Sequence, residues 1–292
     1  MARDFLTGDE LSATELAALL DRADRLKSGR PSEGATALVG HSVALLFERP
    51  STRTRVSLEV GVAELGGVPI VLRGDELQLS RGESIADTGR VLSRYVSAIA
   101  IRSGSDDAVA ALAAASDAPV INALTPLHHP CQALADLLTL RERFGALEGL
   151  RVAYVGDGNN VARSLALLGA TAGISVVVSS PEGYELEGAP GAELVADPRE
   201  AVAGADALYT DVWVSMGDEA EAERRRAALW PYRIDSELLA AAADGAIVLH
   251  CLPAHPGDEI AAEVLYGPSS AVLDQAENRL HAQKALLELL VG

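Results

Sequence analysis

The sequence predicts an α/β protein of two domains, each a mainly parallel sheet flanked by helices. The chain has 292 residues, a length that suits two domains of ordinary size. Short apolar stretches alternate with stretches of helical periodicity, and this alternation starts again after Gly149. Apolar residues make up 49% of the chain but aromatic residues only 4%, which favours an aliphatic core. Strands that alternate with helices are typical of βαβ units and parallel sheets.

The first series of elements lies before residue 144. It begins with a helix, because Ser12 and Glu15 form a capping box and apolar residues follow at helical spacing until Gly29. Strands are then predicted at residues 42–47, 68–72, 98–101 and 119–121, and helices at residues 51–65, 84–95, 106–115 and 132–143.

The second series follows Gly149, and the interval at residues 144–149 is the predicted domain boundary. Its apolar stretches again have the length of buried strands, and the segments between them have helical spacing. Strands are predicted at residues 151–155, 175–179, 207–210 and 247–250, and helices at residues 161–172, 219–229, 235–243 and 277–290.

Charge and cysteine content restrict the class of protein. The formal net charge of −18 argues against nucleic acid or an anionic membrane as a partner. Cys131 and Cys251 lie far apart in the sequence, so we expect no disulfide framework. We expect a reducing compartment instead. The N-terminus has no apolar signal segment, and no run of 18 apolar residues occurs. We therefore expect a soluble, cytoplasmic protein.

Residues 51–55, Ser-Thr-Arg-Thr-Arg, lie where a predicted strand gives way to a helix. The first turn of a helix has unpaired N–H groups and a partial positive charge, which favour an anion. Arginine adds a planar fork that matches phosphate or carboxylate oxygens. The segment predicts a phosphate site that is not a nucleotide P-loop, since no G-x-x-x-x-G-K-[ST] motif occurs. A capped helix start with surface arginines is the alternative.

Polar residues follow several other predicted strands. Ligands of parallel sheets bind beyond the carboxyl ends of the strands, so clusters at these positions predict one common cleft. The clusters are residues 51–55, Arg102, His129 with Gln132, residues 156–160, Asp211 with residues 215–217, and residues 251–253.

Each cluster also has a purely structural interpretation. Arg102 could be a solvated arginine at a strand end, and His129 could cap a helix. Cys251 could be a small buried apolar residue, Asp211 an N-cap and Met216 part of the core. Residues 156–160 resemble a dinucleotide-binding turn but lack the third glycine of G-x-G-x-x-G, and Ser rather than an acidic residue ends the next strand. This disfavours the alternative of an NAD(P)-dependent oxidoreductase.

Taken together, the motifs resemble the aspartate/ornithine carbamoyltransferase family, over nearly the whole chain and in the family's order. The Ser-Met-Gly and His-Cys-Leu-Pro motifs are similar to those of its ornithine-using members. The matching segments are residues 47–55 (FERPSTRTR), 129–132 (HPCQ), 211–217 (DVWVSMG), 250–253 (HCLP) and 276–279 (AENR). The sequence departs from the family's usual pattern at Ser80 and in the segments 102–105 and 125–128.

The resemblance implies a role for each matching residue. Carbamoyl phosphate would be bound through its phosphate by Ser51, Thr52, Arg53 and Thr54, and through its carbamoyl group by Arg102, His129 and Gln132. Gln78 would reach it from a neighbouring subunit, and Cys251, Leu252 and Arg279 would complete its site. Ornithine would be held by Asn160, Asp211, Ser215 and Met216, and the catalytic residues would be Cys251, Arg102, His129 and Asp211.

The implied reaction is transfer of a carbamoyl group from carbamoyl phosphate to the δ-amine of L-ornithine, giving L-citrulline and phosphate. The resemblance implies a homotrimer in arginine metabolism, with sites at subunit interfaces and no cofactor. Residues 1–143, joined by the C-terminal helix 277–292, would bind carbamoyl phosphate, and residues 144–276 would bind ornithine. Histidine spacing predicts no metal site. A carbamoyltransferase for N-acetylornithine, putrescine or aspartate, and a non-catalytic phosphate-metabolite sensor, are the alternatives.

The chemistry requires a neutral amine, whereas an alkyl ammonium has a pKa near ~10.4. A partly desolvated pocket beside guanidinium groups disfavours the cation and lowers the cost of deprotonation. Cys251, paired with Asp211, is the predicted group to accept or orient the amine proton. The rate is expected to rise between neutral pH and about pH 8–9.

Overall fold

The computed structural model describes residues 3–77, 82–188, 191–214 and 219–292. The chain forms two compact units, and each is described by itself. Unit 1 comprises Met1–Leu138 with Glu277–Gly292, and unit 2 comprises Thr139–Ala276.

The elements alternate as the apolar pattern predicts. The strands are β1 (Ser42–Phe47), β2 (Val68–Arg73), β3 (Ala98–Arg102), β4 (Val120–Leu124), β5 (Arg151–Val155), β6 (Ser175–Ser179), β7 (Ala192–Leu194), β8 (Ala207–Thr210) and β9 (Ile247–His250). The α-helices are α1 (Ala13–Ser28), α2 (Thr52–Glu64), α3 (Ile85–Leu92), α4 (Asp106–Ala115), α5 (Pro130–Phe144), α6 (Asn160–Thr171), α7 (Pro198–Val202), α8 (Ala222–Leu229), α9 (Ser236–Leu239), α10 (Ala262–Leu265) and α11 (Val272–Val291).

Both sheets are parallel, which confirms the predicted fold class. The sheet of unit 1 has the strand order β2-β1-β3-β4, and that of unit 2 has the order β7-β6-β5-β8-β9. In unit 1 the chain moves to one side of β1 for β2 and to the other side for β3. In unit 2 the same reversal lies between β5 and β8. Such switch points open a crevice at the carboxyl ends of the strands, so residues after β1, β3, β5 and β8 are those placed to bind a ligand.

Several boundaries differ from the prediction for identifiable reasons. Strand β4 continues to Leu124 because its pairing with β3 extends that far: Arg102 lies opposite Leu124, and the Ser103 N–H donates to Leu124 O over 3.0 Å. Helix α9 ends at Leu239 rather than residue 243, because the Ala243 N–H donates to Ala205 O instead of continuing the helix. The short elements β7, α7 and α10 have too few residues for a periodic signal.

The cores are aliphatic, as the composition predicts. One cluster packs β1, β3 and β4 against α4 in unit 1, and another packs β5, β8 and β9 against α7, α9 and α10 in unit 2. Helix α11 begins at Val272, earlier than predicted, and packs closely on α2, where a Cβ at Gly61 would lie 3.3 Å from Lys284 Cγ. Within the described segments, no helix combines the length and apolar character needed to cross a bilayer.

A buried ion pair ties α11 to α2 and generates a stability prediction. The fully buried Lys284 lies 3.0 Å (Nζ to Oε2) from Glu64, which also accepts from Arg30. Lys284→Met leaves a mostly buried carboxylate with one partner fewer, which costs about 3 kcal/mol. We expect Tm to fall by roughly 6 °C or more in thermal unfolding, at about 2–4 °C per kcal/mol.

A solvent-exposed pair is the control for this substitution. Arg143 and Asp274 form an ion pair in which each side chain is at least 40% exposed. Asp274→Ala is expected to change stability by less than about 1 kcal/mol, because exposed pairs contribute little. Equal shifts in Tm for Lys284→Met and Asp274→Ala would contradict the prediction.

Candidate active site

The start of α2 has an open N-terminus suited to an anion. Ser51 is the N-cap residue in an extended conformation, but its side chain makes no capping hydrogen bond, and the first turn has no acidic residue. The alternative of a side-chain-capped helix start therefore does not describe this turn. Arg55 pairs with Glu59 along the exposed helix surface at 3.2 Å (Nε to Oε2), whereas Arg53 makes no ion pair among the described residues.

Arg102 lies beside this turn because β3 is the neighbour of β1. Its Nη1 atom is 3.4 Å from Ser51 Oγ. The register between β3 and β4 shifts by one residue here, because Ile101 lies opposite Asn122 whereas Arg102 lies opposite Leu124. Glu48, which was not predicted from the sequence, connects the loop after β1 to the loop after β3. Its backbone N–H donates to Arg102 O over 3.1 Å, and its Oε2 accepts from Ser103 Oγ at 2.6 Å and Gly104 N at 3.0 Å.

Arg279 reaches the same turn from α11. Its Nη2 donates to Oγ1 of the fully buried Thr54 over 2.7 Å, and Arg279 itself is only 3% exposed. Because Thr54 Oγ1 accepts this bond, its hydroxyl proton remains available to a ligand. Two guanidinium groups therefore approach the open start of α2 from different elements.

His129 is buried near both arginines and is held neutral. Burial, followed by the charges of Arg279 and Arg102, lowers the pKa of His129 well below its ordinary range. The adjacent Gln132 is 1% exposed, and its Nε2 donates to Asp136 Oδ1 over 2.8 Å. Its Oε1 has no hydrogen-bond partner among the described residues. The arrangement provides a neutral imidazole and an amide acceptor beside the cationic turn.

The two cysteines have different surroundings. Cys131 is fully buried, its Sγ donates to Asn122 O at 3.4 Å, and burial raises its pKa to about 12. Such a thiol is inert. Cys251 follows β9, is partly exposed, and its Sγ lies 2.9 Å from Asp211 Oδ1. The predicted pairing of Cys251 with Asp211 is therefore present.

Asp211 is held from its other side by Asn159. Asn159 Nδ2 donates to Asp211 Oδ2 over 2.8 Å, while Asn159 Oδ1 accepts from Tyr154 Oη at 3.0 Å and from Val161 N at 2.9 Å. Burial, then the charge of Asp211, raises the pKa of Tyr154, which keeps its hydroxyl a donor. Sequence reasoning chose Asn160 and missed Asn159, whose N-cap role at α6 was the available signal.

The turn after β5 is occupied by the protein's own chain. The Gly158 N–H donates to Tyr184 O over 2.8 Å, and a Cβ at Gly158 would be 2.3 Å from Leu186 N. This amide is therefore not available to a pyrophosphate, which speaks against the dinucleotide alternative. Arg225, also missed from the sequence, binds Asp157 of this turn and the Trp213 carbonyl after β8.

Other predicted residues cannot be placed. Gln78, Ser80, Ser215 and Met216 lie outside the described residues.

Three possible metal ligands lie together in unit 2. The ligand atoms that Asp211, His250 and Cys251 could offer to a metal lie within 4.8 Å of one another. His250 Nδ1 accepts from Leu252 N at 2.9 Å, and its Nε2 lies 3.2 Å from Glu259 Oε1. Because both ring nitrogens are engaged, the group offers only two available ligands, fewer than the three protein ligands of a catalytic zinc site.

The lowered pKa of His129 predicts a loss of stability in acid. The unfolded histidine is protonated below its ordinary pKa of 6.5, whereas the folded one resists protonation. The unfolded state therefore binds more protons below about pH 6.5, and stability is full above that pH and falls below it. We expect Tm to fall more steeply from pH 6.5 to pH 5 in the parent than in His129→Gln. Parallel pH profiles of Tm would contradict this assignment.

Comparisons with family models, with related sequences and with solved structures all identify the same family. Residues 3–142 match the carbamoyl-P binding domain, and residues 148–290 the Asp/Orn binding domain, of aspartate/ornithine carbamoyltransferase. The chain is 56% identical to the ornithine carbamoyltransferase of Acidothermus cellulolyticus, covering 100% of this chain and 97% of the relative. The structure of the Pyrococcus furiosus enzyme matches with a TM-score of 0.94 and 47% identity, covering 100% of this chain and 97% of that one. The Thermus thermophilus structure matches with a TM-score of 0.92 and 44% identity over 100% of both chains. The chain belongs to the aspartate/ornithine carbamoyltransferase family.

Proposed function

We propose that the protein transfers the carbamoyl group of carbamoyl phosphate to the δ-amine of L-ornithine, releasing L-citrulline and phosphate. The observation that carries the proposal is the convergence of two buried or half-buried guanidinium groups on the uncapped start of α2. Arg102 Nη1 lies 3.4 Å from Ser51 Oγ, and Arg279 Nη2 lies 2.7 Å from Thr54 Oγ1. On a chain of net charge −18, this local positive site selects a small dianion. Relatives named ornithine carbamoyltransferase support ornithine as the acceptor.

Carbamoyl phosphate is bound by unit 1 in this proposal. The N–H and hydroxyl groups of Ser51, Thr52 and Thr54, with the Arg53 guanidinium, hold the phosphate. Arg102 and Arg279 stabilise its charge as it departs. Gln78 completes the site from a neighbouring subunit of a homotrimer.

The carbamoyl group is polarised by neutral and cationic donors. Its carbonyl oxygen becomes negative as the amine attacks, and preorganised donors at that position usually supply the largest catalytic effect. Arg102, His129 and the Thr54 hydroxyl are those donors. Gln132 Oε1 accepts from the carbamoyl NH₂ group, which satisfies the buried acceptor left without a partner in the described part of the chain.

Ornithine is bound by unit 2. Asn160, Asp211, Ser215 and Met216 hold its α-amino and α-carboxylate groups, and Cys251 and Leu252 face its δ-amine. The Cys251 thiol donates to Asp211 Oδ1, which directs the sulfur lone pairs away from the carboxylate, so they can accept an N–H of the amine. The new C–N bond forms a tetrahedral intermediate, and its collapse breaks the bond to phosphate.

The remaining parts of the proposal concern organisation in the cell. Residues 1–143 with helix 277–292 bind carbamoyl phosphate and residues 144–276 bind ornithine. The descriptions of the two family models, matched over residues 3–142 and 148–290, support the roles of the two main segments. The hydrogen bond from Arg279 to Thr54 supports the place of helix 277–292 with the first segment. Two free cysteines fit the reducing cytoplasm. The reaction is part of arginine metabolism.

A substrate panel tests the function directly. We expect carbamoyl transfer from carbamoyl phosphate to L-ornithine with a specificity (kcat/KM) at least tenfold above that for N-acetylornithine, putrescine and aspartate. Asp211 pairs with a free α-ammonium group, which N-acetylornithine lacks. Putrescine has no α-carboxylate to bind, and aspartate has no δ-amine to reach the carbamoyl group. Product formation with another amine and not with ornithine would contradict the proposal.

Arg53 and Arg55 form a matched pair of variants for the phosphate site. Arg53→Ala removes a charge-assisted contact, a loss of about 1.5–3 kcal/mol, or roughly 10–150-fold in carbamoyl phosphate affinity. Arg55→Ala removes an arginine that pairs with Glu59 on the helix surface, and should change affinity by less than about threefold. The measurement is calorimetric binding of carbamoyl phosphate, and equal losses would refute the phosphate cradle.

Cys251→Ser tests the role of the thiol. We expect kcat to fall at least tenfold and carbamoyl phosphate affinity to fall less, since the phosphate contacts are elsewhere. In the parent, kcat/KM for ornithine should rise between pH 7 and about pH 9, because the neutral fraction of an amine with pKa near ~10.4 rises about tenfold per pH unit. Unchanged turnover in Cys251→Ser, measured across this range, would remove the thiol from the mechanism.

A further inference from the structure

Two buried side chains beside Cys251 have no part in the proposed reaction. His250 is 1% exposed, Glu259 is fully buried, and His250 Nε2 lies 3.2 Å from Glu259 Oε1. The same oxygen accepts a hydrogen bond of 2.5 Å from the backbone N–H of His255. A buried carboxylate is costly unless donors hold it, so these contacts keep Glu259 in one place.

Leu252, the residue after Cys251, has an unusual backbone conformation. Its φ is +60°, and it is the one non-glycine residue with positive φ in the part of the chain that the structure describes. An L-residue with a branched side chain meets steric repulsion in this region. Surrounding contacts must therefore hold the conformation, and the Leu252 N–H donates to His250 Nδ1 over 2.9 Å.

The protonation of the His250 ring follows from these partners. A backbone N–H only donates, so Nδ1 is the acceptor and the ring proton is on Nε2. That proton points to Glu259 Oε1, which favours this tautomer. Both nitrogens are then engaged, and neither is left to exchange a proton with Cys251. The backbone N–H of His250 is fixed as well, because it donates to Gln275 Oε1 over 2.9 Å.

We propose that His250 and Glu259 are positioning residues that hold Cys251 and Leu252 in their left-handed turn. Glu259 orients the ring, the ring holds the Leu252 N–H, and the turn keeps Cys251 Sγ 2.9 Å from Asp211 Oδ1. The consequence for turnover rests on the proposed carbamoyl transfer, whereas the conformation of Leu252 does not. The pair acts through hydrogen bonds and geometry, not through transfer of a proton or charge.

Two substitutions of His250 separate the two ring contacts. The amide oxygen and nitrogen of Asn are separated from Cβ by the same number of bonds as Nδ1 of histidine. Those of Gln are separated from Cβ by the same number of bonds as Nε2. His250→Asn therefore keeps an acceptor for the Leu252 N–H, whereas His250→Gln keeps a donor for Glu259 and loses that acceptor. We expect kcat for citrulline formation to fall at least tenfold further in His250→Gln than in His250→Asn. Affinity for carbamoyl phosphate should fall less than kcat in His250→Gln and stay within threefold of the parent in His250→Asn, because the phosphate contacts lie in unit 1.

Two substitutions of Glu259 distinguish a hydrogen bond from a charge. Glu259→Gln keeps an acceptor oxygen without the charge and should hold kcat within about fivefold of the parent. Glu259→Ala removes the acceptor and should lower kcat at least tenfold. Crystal structures provide the readout without an assay: Leu252 should leave positive φ in His250→Gln and keep it in His250→Asn and Glu259→Gln.

Three results would overturn the proposal: positive φ at Leu252 in His250→Gln, equal kcat in the two His250 variants, or Glu259→Gln as impaired as Glu259→Ala. If His250→Gln does not fold, the Glu259 variants decide the question by kcat and by the Leu252 conformation. A parent enzyme that formed no citrulline would contradict the proposed function, and the crystal structures would still test the pair.

Discussion

The positive site at the start of α2 is the constraint around which unit 1 is organised. Arg279 is 3% exposed and Thr54 is fully buried, so the protein carries a cation below its surface rather than on it. Buried charge is costly unless an opposite charge or directed hydrogen bonds compensate it. The Thr54 hydroxyl supplies one such bond, and the open helix start beside it favours an anion, which carries the opposite charge. Burial, together with the charges of Arg279 and Arg102, lowers the pKa of His129, so the cations that favour an anion at this site also help to keep the imidazole neutral.

In unit 2 the main feature is the fixed orientation of the Asp211 carboxylate. Asp211 has a partner on each oxygen, Cys251 on Oδ1 and Asn159 on Oδ2, and Asn159 is itself fixed by Tyr154. A carboxylate whose oxygens are both directed loses little conformational freedom when a ligand arrives. The thiol is likewise oriented before any substrate is present. The Glu259–His250 pair adds a contact with the backbone, because His250 Nδ1 accepts from the Leu252 N–H.

The alternatives raised by the sequence are separated by hydrogen bonds that no motif reveals. The turn after β5 has glycines like those of a dinucleotide site, yet the Gly158 amide is bound by the Tyr184 carbonyl. Asp211 caps no helix of the described residues, and its carboxylate contacts the side chains of Asn159 and Cys251 instead. Cys131 and Cys251 look equivalent in a sequence, but Cys131 is fully buried with its pKa raised to about 12, whereas Cys251 is partly exposed and contacts Asp211. Burial and hydrogen-bond partner, rather than residue type, distinguish the two cysteines.

The sequence by itself determined the alternation of strands and helices, the parallel sheets, and the types of residue after each strand, because periodicity and motifs are local properties of a chain. It also predicted the pairing of Cys251 with Asp211 and the family. Only the tertiary structure decided the strand orders β2-β1-β3-β4 and β7-β6-β5-β8-β9, which make β1, β3, β5 and β8 the strands flanking the switch points. Glu48, Asn159, Arg225 and Glu259 were not predicted, since they contact the site through residues distant in sequence or through backbone groups. The register shift opposite Arg102 and the positive φ of Leu252 were also beyond prediction, because packing around a residue, and not the residue's own preference, imposes such conformations.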